Sequence, residues 1–102
     1  MDIYDISVTN FNGVPNQFII LSKFGTLFQS YKSPIALIDW VNKKITIYPD
    51  YKHSKITSKY RDMFFVTRGM AELASTEALE NAIENGCWRD YKIIKKDNEW
   101  GI

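Results

Sequence analysis

The feature that most restricts this chain is the alternation of apolar and polar residues from Phe24 to Tyr48, cut at intervals by turn formers. A period of two places successive side chains on opposite sides of an extended backbone, so such a segment folds as strands with one buried face. Gln17 to Ser22 is continuously apolar from Phe18 to Leu21 and reads as a strand lying against a core. Lys23 to Tyr31 alternates, with Phe24, Thr26, Phe28 and Ser30 on one side and Gly25, Leu27, Gln29 and Tyr31 on the other. After Ser33-Pro34, Ile35 to Val41 reads as the next strand, with Ala36, Ile38 and Trp40 sharing a face. Asn42-Lys43 is a two-residue turn candidate leading into Lys44 to Tyr48, where Ile45 and Ile47 point inward and Pro49 ends the strand. Upstream, residues 3 to 9 are β-branched enough for an edge strand, and Asn12-Gly13 marks the turn that follows.

Beyond Pro49 the period changes. Asp50 to Ile56 is polar and basic, a loop, and Thr57 offers a cap for a helix beginning at Ser58. Tyr60, Met63, Phe64 and Thr67 are spaced for one helical face, and Gly69 is placed to stop the helix. A second helix starts at Ser75 or Thr76, buries Ala78, Leu79, Ala82 and Ile83, and ends at Gly86. Tyr91 to Lys95 reads as a closing strand, and residues 97 to 102 as a tail. The expected architecture is α+β: a mostly antiparallel sheet of about five strands with two helices packed on one face. A length of 102 residues suits one domain, residues 1 to 102.

Charge excludes two function classes. A formal net charge of +1 is neither the acidic profile of a DNA mimic nor the strongly basic one of a protein that coats nucleic acid. Cys87 is the sole cysteine, so there is no disulfide framework and no cysteine-cluster metal site, and the residue is expected to be small, apolar and buried. The acidic N-terminus lacks a secretory pattern, and no apolar run approaches the roughly 18–20 residues needed to span a bilayer. These features predict a soluble, cytoplasmic protein without membrane, metal or cofactor. Trp40 and Trp88 are expected in the core, and Trp100 either folded back on the sheet or exposed as an interface anchor.

The charges are unevenly distributed. Residues 43–68 carry seven basic and two acidic side chains, net +5, whereas residues 69–90 carry one basic and five acidic, net −4. Lys52, Lys55, Lys59 and Arg61 lie among Tyr48, Tyr51 and Tyr60, the mixture that phosphate contact and base stacking require, with Tyr51 the expected stacking residue. Glu77, Glu80 and Glu84 recur at helical spacing, although like charges so placed weaken a helix, and would meet a basic partner surface. The plain alternatives are solvated surfaces, or pairing between the two segments within the chain. His53 has no partner pattern for a triad or metal site, the glycines form no phosphate loop, and no carboxylate spacing marks an acid–base pair. A non-enzymatic binding role is expected.

Within residues 24–65, Phe24-Gly25, Phe28-Gln29-Ser30-Tyr31, Ile35-Ala36, Tyr51-Lys52, Thr57-Ser58-Lys59-Tyr60 and Phe64 resemble a small domain, largely of unknown function, found in phages and mobile elements of Gram-positive bacteria. Here Pro49-Asp50-Tyr51-Lys52 stands where that pattern has a Trp-Asp-Tyr-Ser-like turn, and Phe64-Phe65 where it has Phe-Leu. The resemblance covers some forty residues and implies a phage or mobile-element origin. Small phage proteins of this kind include anti-restriction and anti-CRISPR inhibitors. The implied partner is therefore a host protein or protein–RNA complex, most specifically a type II RNA-guided nuclease. The alternative is a small nucleic-acid-binding regulatory domain using the basic surface of residues 50–61.

Overall fold

The computed structural model describes residues 7–23 and 25–97. In chain order it has strands β1 (Ser7–Asn10), β2 (Gln17–Ser22), β3 (Gly25–Ser30), β4 (Ser33–Asp39) and β5 (Lys44–Ile47). Helices α1 (Lys55–Thr67) and α2 (Thr76–Asn85) follow, then strands β6 (Cys87–Trp88) and β7 (Tyr91–Lys95). All seven strands form one sheet in the order β1-β2-β3-β4-β5-β7-β6. The α+β class agrees with the sequence reading, but the sheet has seven strands where about five were expected. Every pairing is antiparallel except β5 with β7, which is parallel. A parallel neighbour requires a crossover, and both helices lie within it. Of the strand expected over residues 3 to 9, the part from 3 to 6 lies outside the described residues, as do Phe24 and Trp100.

Strand pleating sorts the sheet into two faces. Ile19, Phe28, Ala36 and Ile47 are successive cross-strand partners, and all are buried. The neighbouring row on that face is Thr26, Ile38, Ile45 and Ile93, also buried. Phe64, Phe65, Leu73 and Leu79 from the helical crossover complete this core. Phe28 of β3 stacks on Phe64 of α1 at 5.6 Å between ring centroids, the direct contact of sheet and helix. On the opposite face, Ile20, Leu27, Leu37, Thr46 and Ile94 pair in one row. Thr46 is buried and its four apolar neighbours are half-buried.

Several boundaries differ from expectation for identifiable reasons. The β4–β5 turn spans Trp40 to Lys43 rather than two residues, because Asp39 pairs with Lys44 across its base. The Asp39 carboxylate accepts from the Val41 and Asn42 amides, each at 3.1 Å, and from the Asn42 side chain at 2.8 Å. Those bonds, led by the one from the Asn42 side chain, hold the Asp39 carboxyl below its usual pKa. Trp40 consequently sits on a turn and is 42% exposed, not in the core. Cys87 is exposed as well, on the short strand β6 that the sequence reading missed. Trp88 packs against the core as expected.

Helix α1 begins three residues earlier than predicted, capped by Ser54, whose hydroxyl accepts from the Thr57 amide at 3.1 Å. Thr57 is instead buried in the first turn, its hydroxyl 3.0 Å from that of Ser30 at the end of β3. Helix α2 is capped by Ser75 and closed by Gly86 in the left-handed region, within the start near Ser75 or Thr76 and the end at Gly86 that the sequence predicts.

Two glycines should respond differently to a methyl group. At Gly25, with φ +126°, an added Cβ would lie 2.0 Å from the Ile38 carbonyl oxygen, a clash with paired backbone. At Gly86, with φ +77°, the space is open and only the backbone conformation resists. Gly86→Ala should cost about 1–2 kcal/mol in urea denaturation, whereas Gly25→Ala should cost several-fold more or prevent folding.

Candidate functional site

The segment from Pro49 to Arg61, where the sequence concentrates basic and aromatic residues, folds as a loop running into α1. It carries both solvent-facing and buried members of the expected site. Arg61 is fully buried, at 0% exposure. Its Nη1 donates to the Tyr51 carbonyl at 2.7 Å, and its Nη2 donates to Thr76 Oγ1 at 2.8 Å and to Asp62 Oδ1 at 2.8 Å. Nε also donates to Asp62 Oδ1, at 3.1 Å. The guanidinium thus joins the loop, α1 and the first residue of α2. It is a structural clamp, and the partner contact expected of it is not available from this position.

Tyr51 is also buried, at 5% exposure, so it cannot present its ring face to a partner base. Its hydroxyl donates to Glu80 Oε2 at 2.6 Å, and Lys52 Nζ reaches the same oxygen at 2.7 Å. Pairing within the chain therefore accounts for one member of each charged set. The Lys52 hydrogen bond, followed by that from Tyr51, holds the Glu80 carboxyl below its ordinary value of 4.5. Burial, followed by the Glu80 contact, raises the Tyr51 hydroxyl above 10.0. The hydrogen bond to Glu80 raises the Lys52 ammonium above 10.5. Because Lys52 and Glu80 are both substantially open to water, their pair adds little to stability on its own.

The remaining predicted residues face outward. Lys55 and Lys59 are exposed four positions apart on α1, and Lys59 lies over the Tyr60 ring at 5.4 Å. Glu77 and Glu84 are exposed on α2. Neither Lys55 nor Lys59 has an ion-pair partner among the described residues. No group of three or more His, Cys, Asp or Glu side chains that could hold a metal occurs among the described residues. No helix among the described residues is long and apolar enough to cross a membrane.

Beside this segment lies a cleft of about 810 Å³ between the β3–β4 turn and the loop entering α1. Its lining includes Phe18, Tyr31, Lys32, Ile35, His53 and Ile56. The Ser30–Thr57 hydroxyl pair and a 2.7 Å bond from Ser33 Oγ to Asp50 Oδ2 tie its two walls together. Tyr31 is the residue that sequence reasoning missed. It reads there as an alternating strand residue, but it occupies the β3–β4 turn with φ +56° and is 50% exposed. The Ser30–Ser33 pairing would have signalled a two-residue hairpin had Gly or Asn stood at position 31.

Comparison with protein-family models, curated proteins and solved structures finds no match. The resemblance of residues 24–65 to a phage-borne domain therefore rests on those residues alone.

Two substitutions test this geometry. Arg61→Met should destabilise the fold by about 1–3 kcal/mol in urea denaturation, since it leaves the Tyr51 carbonyl without its buried donor. A depressed carboxyl pKa contributes stability above the unfolded value near 4.5 and loses it as pH falls through the lower folded value. Glu80→Gln should accordingly flatten the fall in stability below about pH 4.5 while leaving the shape of the neutral-pH profile unchanged. A stability profile from pH 2 to 7 checks it.

Proposed function

We propose that this chain is a non-enzymatic binding protein that inhibits a host nucleoprotein defence complex by occupying its nucleic-acid-facing surface. The observation that carries this reading is the run of outward-facing cations Lys55 and Lys59 at the start of α1, neither with an ion-pair partner among the described residues. That run is held in place from behind by the buried Arg61 clamp. Cations on a fixed element can track the phosphate backbone of a guide RNA without losing loop entropy on binding. The exposed Glu77 and Glu84 provide a separate surface for the arginine- and lysine-rich protein that surrounds such a channel. Type II RNA-guided nucleases have both components, a guide RNA and basic channels, and the phage-like residues of the 24–65 segment favour that class of partner.

A second reading, a small regulatory domain that binds free nucleic acid, draws on the same lysines and on the cleft beside them. Competition separates the two: a regulator binds free DNA or RNA, whereas an inhibitor binds the assembled complex and blocks its activity. In DNA-cleavage assays with purified type II nucleases from several species, an equimolar amount of the protein should suppress cleavage by at least one of them. The Lys55→Glu/Lys59→Glu variant should lose that suppression by ten-fold or more. Cleavage unchanged across all the nucleases would contradict the inhibitor reading.

A further inference from the structure

The cleft beside the basic run has a property that charge alone does not explain. Tyr31 occupies the first of two central positions in the β3–β4 turn, with Ser30 and Ser33 paired at its base. Its φ of +56° is a region where a bulky L-residue is strained and glycine is at ease. The conformation is held by two hydrogen bonds: the Tyr31 amide donates to the Asn16 carbonyl at 2.6 Å, and Gln29 Nε2 donates to the Tyr31 carbonyl at 2.8 Å. The side chain that incurs this strain is half exposed and lines the cleft, so burial of the ring does not account for its presence.

We infer that the cleft is a binding site for one nucleotide of a single-stranded nucleic acid, with its base stacked on Tyr31. This deepens the second reading above, a domain that binds nucleic acid, and rests on that reading for the nature of the ligand. A nucleotide has a flat base with apolar faces and an anionic phosphate, and the cleft offers a surface for each. Phe18, Ile35 and Ile56 give apolar lining to the cleft that Tyr31 also lines. Lys32 and His53, both exposed, stand at the rim as donors for phosphate. Asp50, the one acidic residue on the lining, is engaged with Ser33. From the rim, Lys55 and Lys59 continue the cationic surface along α1, one helical turn apart, which suits a strand running on past the cleft better than an isolated small anion. A volume of about 810 Å³ falls within the range of pockets that enclose small organic ligands.

The strain provides a control that separates binding from folding. Tyr31→Gly relieves the backbone and removes the stacking ring, whereas Tyr31→Phe keeps the ring. Fluorescence anisotropy with 5′-labelled eight-nucleotide dT and rU strands at low salt tests the site, and the two strands distinguish a DNA from an RNA ligand. Binding of either strand by the parent and by Tyr31→Phe, ten-fold or more weaker in Tyr31→Gly, is the expected result. The glycine variant should melt at or above the parent temperature. Equal binding by parent and Tyr31→Gly, or no binding of either strand by the parent, overturns the cleft site. If Lys55→Glu/Lys59→Glu abolishes binding that Tyr31→Gly leaves intact, the cleft inference fails while the basic-surface reading survives. If the parent binds neither strand and inhibits no nuclease, both fail.

Discussion

The arrangement of this protein around its candidate site depends on one buried cation. Arg61 sits on the apolar stripe of α1, where a guanidinium can be accommodated only if its donors find acceptors. It finds them in the Tyr51 carbonyl, the Asp62 carboxylate and the Thr76 hydroxyl. Those three belong to the loop after β5, to α1 and to the start of α2, so one planar group fixes all three elements at once. A lysine there would offer a point charge without the fork that spans them. The loop therefore does not depend on β5 alone for its position, although its composition is that of a polar surface segment.

This constraint links the core to the surface. With Tyr51 and Arg61 directed inward, the lysines of the same segment are left at the surface, and the chain that carries them forms one wall of the cleft. The opposite wall is the β3–β4 turn, strained at Tyr31 and joined to α1 through the Ser30–Thr57 hydroxyl pair. Preorganised walls of this kind reduce the ordering cost of binding, and that cost often decides whether a small protein can hold a partner tightly.

The sheet was largely legible in the sequence and the site only in part. Alternation marks β3 and β5, a continuous apolar run marks β2, and the Ser75-Thr76 start with a terminal glycine bounds α2. The parallel pairing of β5 with β7 was not legible, since no local turn chemistry encodes a contact across a two-helix crossover. The stripe on α1 was read as Tyr60, Met63, Phe64 and Thr67, but the fully buried positions are Thr57, Arg61, Phe64 and Phe65. A basic residue on that stripe reads as surface because its hydrogen-bond partners lie elsewhere in the chain. The Phe64-Phe65 pair, four residues beyond Tyr60 and Arg61, was the available signal that the stripe includes position 61. Tyr31 hid its turn for the opposite reason: nothing in a tyrosine announces positive φ, and only the paired backbone reveals it.

The central claim is that binding occurs at the cleft and the basic start of α1, with Arg61 and Tyr51 serving as the frame behind them. The most direct test is an NMR titration of the isotopically labelled full chain with the eight-nucleotide dT or rU strand, following backbone amides. The account predicts shift changes concentrated at Tyr31, Lys32, His53, Ser54, Ile56 and Lys59, with the core amides of β4 and β5 largely unmoved. Changes centred instead on Leu27, Leu37 and Ile94 across the far face of the sheet, or on Glu77 and Glu84 of α2, would contradict it.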